Sequence, residues 1–391
     1  MPSPQDKFGR VKACRGRLLH LIHRDGPGGG PVVATQLLEG LKGQWDQSVA
    51  ADGEGRMAAW CLREKRPFHR LPLFPLARAW RGLPRLVALL RREKPHVAIL
   101  HGQWAGPLGA MACRMAGHTR TVYIAHCPAF YHSNRWDRAL RNYLAERLPL
   151  RWCDRVVVLS SGSRRNYIYR GWGPEEKIVQ IPNGVDLSRK MGGEEKKRLR
   201  AGRGWQPGEF HVVFAGRLVD QKRPDWMLES WRKFLAAAPE LSARSFLHLV
   251  GDGPEKPALE RFVREAGMGG RVRFAGEQDE AFDWMAAADL VAMTSLYEGH
   301  ALVPLEAMLC GRPVLAMKVD GVEDSVEDGV TGILVRPGDT GAFAARLAEL
   351  ARDPGFRRRL GDEAESRVDR WDWQKSLLQY RNLLDALGPV R

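Results

Sequence analysis

Three runs in the middle of the chain end alike: HVVFAG (211–216), FLHLVG (246–251) and RVRFAG (271–276). Each is too short for a helix, is rich in β-branched and aromatic residues, and stops at a glycine. LVAMTS (290–295), PVLAMK (313–318) and GILVRP (332–337) continue the series. Segments of helical period, such as RPDWMLESWRKFLAAAP (223–239) and TGAFAARLAELARDP (340–354), separate them. Continuous apolar strands alternating with helices predict a parallel sheet covered on both faces.

The first half carries the same pattern. RLLHLIH (17–23), HVAILH (96–101), TVYIAH (121–126) and RVVVLS (155–160) read as strands. PVVATQLLEGLKG (31–43), 107–116 and 135–148 read as helices, with Pro31 near the first turn of its helix and Gly43 near its end. At 391 residues the chain exceeds one ordinary core. Pro, Gly and charge crowd together at 181–205. The reading is therefore two doubly wound α/β domains in series, 1–187 and 188–369, with a terminal segment at 370–391. In such sheets ligands bind outside the carboxyl ends of the strands, so the loops there are where chemistry is sought.

Four stretches attract attention on chemical grounds. FAGRLVDQKRPD (214–225) sets Arg217 and Lys222 between a strand end and a helix start, either as a diphosphate site or as solvated charges. DGPGGGP (25–31), which contains Gly29 and Gly30, either brings backbone N–H groups to an anion or is a flexible turn. GDGP in 249–260 reads as an ordinary turn. His126, at a strand's carboxyl end, either lines a cleft or is structural.

The most demanding stretch is EGHALVPLEAMLCGRPVLA (298–316). Glu298 precedes a helix start near residue 300, where a carboxylate can simply favour the dipole. Glu306 sits inside an apolar run and needs a partner. Hydroxyls of a sugar or ribose would serve, while the free amides at 301–303 would face a phosphate.

These residues resemble the GT4-type retaining glycosyltransferases of the GT-B fold, in which two Rossmann-like doubly wound domains face a central cleft. The likeness rests on the two glutamates, Glu298 and Glu306, with seven residues between them. It extends through AGRLVDQKRPD, LHLVGDGPEKPALE, IPNGVD (181–186) and DGVEDSVEDGVTGILVRPGD (320–339), covering most of 155–340. The first half matches more loosely, as acceptor domains of the family vary.

The resemblance implies a nucleoside-diphosphate sugar donor and no required cofactor or metal. It implies that Arg217 and Lys222 bind the donor diphosphate, that Glu306 holds the ribose and that Glu298 contacts the sugar hydroxyls. It assigns the amides at Leu302 and Val303 to the distal phosphate, and Gly29 and Gly30 to the glycine loop facing the donor phosphates and acceptor. His126 matches the family histidine that reaches the sugar, and 370–387 the helix that crosses back onto the first domain. His300 departs from the aromatic or small residue that many members carry. Retention is expected through a same-face, ion-pair-like displacement, with no covalent nucleophile assigned. A nucleotide-sugar epimerase of the same fold, or a non-catalytic membrane- or sugar-binding protein, is the alternative.

Charge separates the halves. Residues 1–185 hold 30 Lys and Arg against 13 Asp and Glu; the remainder holds 31 against 33. Segment 63–94, with ten cations, two glutamates and interleaved Leu, Phe and Trp, reads either as an interfacial segment for an anionic lipid surface or as a solvated basic face. Arg135 to Arg170 forms a second basic stretch. No nucleic-acid motif accompanies the charge, so no nucleic-acid partner is expected. The six cysteines are scattered, as for reduced thiols, and no run approaches the ~20 apolar residues of a membrane span. No secretory h-region precedes residue 17. The expectation is a cytoplasmic protein, peripheral on the cytoplasmic face of the inner membrane, using a lipid-linked or saccharide acceptor.

Overall fold

The structure, a computed structural model, describes residues 15–23, 25–26, 28–72, 76–127, 146–147 and 149–388. Its strands are β1 (Arg17–Ile22), β2 (Asp46–Ala51), β3 (Phe68–Arg70), β4 (Val97–His101), β5 (Arg120–Ala125), β6 (Arg155–Val158), β7 (Ile178–Gln180), β8 (Phe210–Ala215), β9 (Ser245–Val250), β10 (Val272–Gly276), β11 (Leu290–Met293), β12 (Val314–Met317) and β13 (Gly332–Val335). They form two sheets, ordered β3-β2-β1-β4-β5-β6-β7 and β10-β9-β8-β11-β12-β13. The assigned pairings are parallel, with Leu18 opposite Val97 and Leu290 opposite Val212. β4 and β8 are buried along their whole length, which is why they read as unbroken apolar runs.

The helices used below are α1 (Gly29–Gly40), α2 (Arg56–Arg63), α3 (Leu76–Glu93), α4 (Gly102–Ala116), α5 (Ser161–Tyr169), α6 (Gly193–Gly202), α7 (Pro224–Ala237), α8 (Lys256–Glu265), α9 (Ala281–Ala287), α10 (Leu302–Leu309), α11 (Thr340–Arg352), α12 (Pro354–Arg367) and α13 (Trp373–Ala386). By packing, the chain divides into two units: Met1–Ala125, Tyr143–Val157 and Tyr380–Arg391, and His126–Asn142 with Val158–Gln379.

In the first unit the strand order reverses between β1 and β4. α1 starts at Gly29, two residues before the expected Pro31, because Gly28 adopts φ 142°, a turn a side chain would resist. Asp25 is buried and accepts from the amides of Gly55 (2.9 Å), Met57 (3.2 Å) and Ala58 (2.9 Å), so it caps α2 from a distant loop. His20 lies 3.1 Å from both His101 Nε2 and Gln47 Oε1, and burial pushes its pKa down to about 4. At the other end of the chain Arg381 donates to the Gly40 carbonyl at 2.7 Å, and Arg15 pairs with Asp385.

The basic segment 63–94 is not amphipathic in the way its composition suggests. On α3, Leu86, Val87, Leu89 and Leu90 are buried, whereas Arg81, Arg85, Arg91 and Arg92 are exposed. The interleaved leucines of this part serve the core, and its surface is cationic. Residues 73–75 lie outside the described residues, as do residues 135–145 and 148 of the second basic stretch and of the helix expected at 135–148. Among the described residues no helix is long and apolar enough to cross a membrane, and no group of three or more His, Cys, Asp or Glu is placed to hold a metal.

Candidate active site

In the second unit the strand order reverses between β8 and β11, whose carboxyl ends are neighbours. The loops leaving these two strands build the site. After β8 the chain passes Gly216 and Arg217, makes a tight turn over Asp220–Lys222, and enters α7 through Arg223 at φ 47°. Pro224 then opens the helix, where its missing N–H is no loss. After β11 the chain passes Thr294, Ser295 and Glu298 before α10 begins.

The two loops are tied to each other. Thr294 Oγ1 lies 3.1 Å from the Lys222 carbonyl and 2.8 Å from that of Arg223. The Leu296 amide donates to the Gln221 carbonyl at 2.8 Å, and Gln221 Nε2 returns a bond to the Tyr297 carbonyl at 3.1 Å. Within this frame Lys222 Nζ meets Glu298 Oε1 at 2.5 Å, and Ser295 Oγ donates to the same oxygen at 2.6 Å. The Lys222 and Glu298 side chains are 17% and 8% exposed, so the pair is only lightly screened. Glu298 Oε2 remains able to accept from a ligand, and the Lys222 ammonium keeps two of its three N–H donors for one. Arg217 is exposed at the strand end, with no ion pair to a described carboxylate.

α10 begins without a side-chain cap and with no acid in its first turn. Leu302 and Val303 are its first two residues, so their amides lack intrahelical partners, and Pro304 has no N–H to satisfy. Glu306 follows Leu302 by one turn and is half-buried, while Leu305, Ala307, Met308 and Leu309 are buried. The acid therefore occupies the open edge of an otherwise apolar helix.

Glycines hold this loop in place. Gly321 has φ 79°, and a Cβ there would stand 2.6 Å from the Gly299 carbonyl oxygen and 2.9 Å from that of Glu298. A Cβ on Gly299 would strike the carbonyl of His126, so the His126 backbone lies against the loop. The turn Gly251–Gly253 packs on the Arg217 loop: Leu218 N donates to Asp252 O at 2.9 Å, and a Cβ on Gly251 would collide with the Gly216 carbonyl. GDGP is thus a backbone support for Arg217. Gly29 and Gly30 belong to the first unit, at the opening of α1 and outside the carboxyl end of β1.

Two segments quoted for the family likeness turn out to make contacts that the sequence did not reveal. IPNGVD is a brace: Asn183 Nδ2 donates to the His300 carbonyl at 2.8 Å, and a Cβ on Gly184 would lie 2.6 Å from Trp373 Cα. Asp320 and Asp324 accept from Asn166 Nδ2 (3.0 Å) and the Ser161 amide (2.6 Å) on α5. His300 itself is buried at 4% exposure against Trp371, their ring centroids 4.9 Å apart. Among the described residues neither ring nitrogen has a hydrogen-bond partner, and burial lowers its pKa to about 4.

Chemically, the strand ends supply cations, a helix start supplies amides, and two carboxylates stand within one turn of it on either side. The profile of the family "Glycosyl transferases group 1" matches residues 209–353, and that of "Glycosyltransferase Family 4" matches 27–189. The D-inositol 3-phosphate glycosyltransferase of Streptomyces bingchenggensis (strain BCW-1) is 32% identical over 231 residues, 57% of this chain and 50% of that protein. The chain spans about half the length of the curated relatives it matches. Among solved structures, Anabaena HepE in complex with UDP-glucose superposes with a TM-score of 0.83 at 24% identity, covering 95% of this chain and 100% of that one. WaaG, a glycosyltransferase involved in lipopolysaccharide biosynthesis, gives 0.74 at 15% identity, covering 94% and 99%. These likenesses establish the GT-B fold.

Proposed function

The chain belongs to the group 1, family 4 glycosyltransferases, and from that premise we propose that it moves a sugar from a nucleoside-diphosphate sugar to a lipid-linked or saccharide acceptor in the synthesis of a cell-surface polysaccharide, lipopolysaccharide or glycolipid. The observation that carries the reading is the Lys222–Glu298 pair at the strand-order reversal, beside an uncapped helix start.

Arg217, Lys222 and the amides of Leu302 and Val303 hold the diphosphate, and the amides at Gly29 and Gly30 serve phosphates from the first unit. Glu306 takes the ribose hydroxyls. Glu298, fixed by Lys222 and Ser295, takes the hydroxyls of the transferred sugar, and His126 also reaches that sugar. As the anomeric C–O bond to the diphosphate breaks, negative charge grows on the leaving oxygen, and fixed cations and amides stabilise it without reorganising. The acceptor oxygen bonds to the same face of the anomeric carbon and its proton passes to the departing phosphate, so configuration is retained. The cationic surface of α3 and the charge of the first half suit an anionic membrane face, where a lipid-linked acceptor would be met.

A nucleotide panel tests this. UDP is the first to try, because HepE of the same fold is seen with UDP-glucose. One of UDP, GDP, ADP and CMP is expected to raise the melting temperature, and at 100 times its Kd to stabilise by about 2.7 kcal/mol. The matching sugar nucleotide then gives a product whose anomeric proton coupling in NMR equals that of the donor. No stabilisation by any nucleotide, or inversion at the anomeric carbon, contradicts the reading.

A further inference from the structure

The second unit carries a cavity at the end of the sheet away from Glu298. It has a volume of about 670 Å³, and Phe210 and Ser245, the first residues of β8 and β9, line it together with Asp289 and Pro313, which precede β11 and β12. Such a volume suits a nucleotide-sized ligand.

Its charge is unbalanced. The walls contribute seven Lys and Arg against four Asp and Glu. Most of these acids are already engaged: Asp289 holds Arg200 at 2.9 Å and accepts the His211 amide at 2.8 Å. Glu365 lies 3.4 Å from Lys190 and 3.6 Å from Lys196, and Glu209 meets His211 at 3.0 Å. Asp362 is exposed. Among the described residues, two guanidiniums have hydrogen bonds to carbonyls and no ion pair. Arg312 reaches the Ala286 carbonyl through Nε (3.1 Å) and Nη2 (2.6 Å). Arg357 reaches those of Leu350 and Ala351, with its guanidinium 4.9 Å from the Phe210 ring centroid. Burial lowers the pKa of both, the mark of cations whose lost hydration is incompletely replaced. At the rim Arg244 and Arg358 are exposed and pair with none of the described carboxylates.

Carbonyl-bound guanidiniums at the back and unpaired ones at the rim leave a net positive hollow, whose fitting occupant is an anion with several oxygens. We propose that this cavity is a second binding site, for a soluble compound bearing two or more phosphate groups. The rim arginines grip the phosphates, while Arg312 and Arg357 supply the field behind them.

Inorganic pyrophosphate is the probe, titrated calorimetrically at low salt. Wild type is compared with Arg244→Ala/Arg358→Ala, changes at two exposed side chains, and with Arg217→Ala, which leaves the Lys222–Glu298 pair intact. Loss of one bound equivalent in the rim variant, or at least tenfold weaker binding of it, with that equivalent kept in Arg217→Ala, is the expected result. Retention of the charge in Arg244→Lys/Arg358→Lys keeps most of the affinity. Wild type that binds no pyrophosphate, or a rim variant that binds it as wild type does, overturns the proposal. The comparison of the rim variant with wild type does not bear on the Lys222–Glu298 site, which is scored separately by its nucleotide.

Discussion

Glu298 is held from two sides, by an ammonium and a hydroxyl on one oxygen, which leaves the other aimed by geometry rather than by chance. Glu298→Gln keeps the shape but weakens both charge-assisted bonds. It is expected to lower kcat/KM by on the order of 10²-fold while nucleotide binding persists, read by steady-state kinetics beside a thermal shift. His300 presents the opposite case, a buried imidazole with no hydrogen-bond partner on either nitrogen among the described residues. Its folded pKa of about 4 lies below the unfolded value near 6.5, so the unfolded chain binds the proton first. Stability is therefore lost as pH falls from about 6.5 towards 4. His300→Phe removes the two orphan nitrogens, and is expected to stabilise at pH 7 by about 1 kcal/mol. It also flattens the fall by about one proton, or about 1.4 kcal/mol per pH unit. Urea melts at pH 7, 6 and 5 check both. At this scale the spacing of Glu298 and Glu306 was legible, because a carboxylate inside an apolar run asks for a ligand. The Lys222–Glu298 contact was not, since 76 positions of chain separate the two and only the order of strands makes them neighbours.

The same point recurs in the elements. Parallel strands buried on both faces announce themselves as unbroken apolar runs, so β1, β4, β8 and β9 were readable almost to the residue. The segment that forms α3 was legible only as cations interleaved with apolar residues: Leu86, Leu89 and Leu90 face the core, and only packing decides whether an apolar stripe meets protein or lipid. GDGP was visible as a turn, whereas what presses against it and against Gly299 and Gly321 was not. Gly321→Ala would combine a left-handed backbone with a Cβ 2.6 Å from a carbonyl oxygen. It is expected to destabilise by about 1–3 kcal/mol and to lower kcat/KM by displacing the Glu298 loop, although residue 321 is not among those assigned to the ligand. A melting curve with kinetics on the same sample measures both; unchanged kinetics would separate Gly321 from the loop's placement.

For the whole molecule, charge is the dominant fact: the first 185 residues are strongly cationic and the remainder is nearly neutral. The exposed face of α3 offers arginines while Leu86, Leu89 and Leu90 are buried, so adhesion to anionic vesicles is expected to be electrostatic. Co-sedimentation with phosphatidylserine vesicles should be strong at about 50 mM salt and largely lost at about 500 mM, where the screening length is only a few Å. Binding that survives high salt would instead require an apolar anchor. The central claim, however, is a diphosphate site made by Arg217, Lys222 and the start of α10. The direct measurement is the ratio of UDP to UMP affinity by calorimetry, in wild type and in Arg217→Ala/Lys222→Ala. The account predicts a preference for UDP of tenfold or more, worth about 1.4 kcal/mol or more, that collapses in the double variant. A preference that survives the loss of both cations would place the diphosphate elsewhere and contradict it.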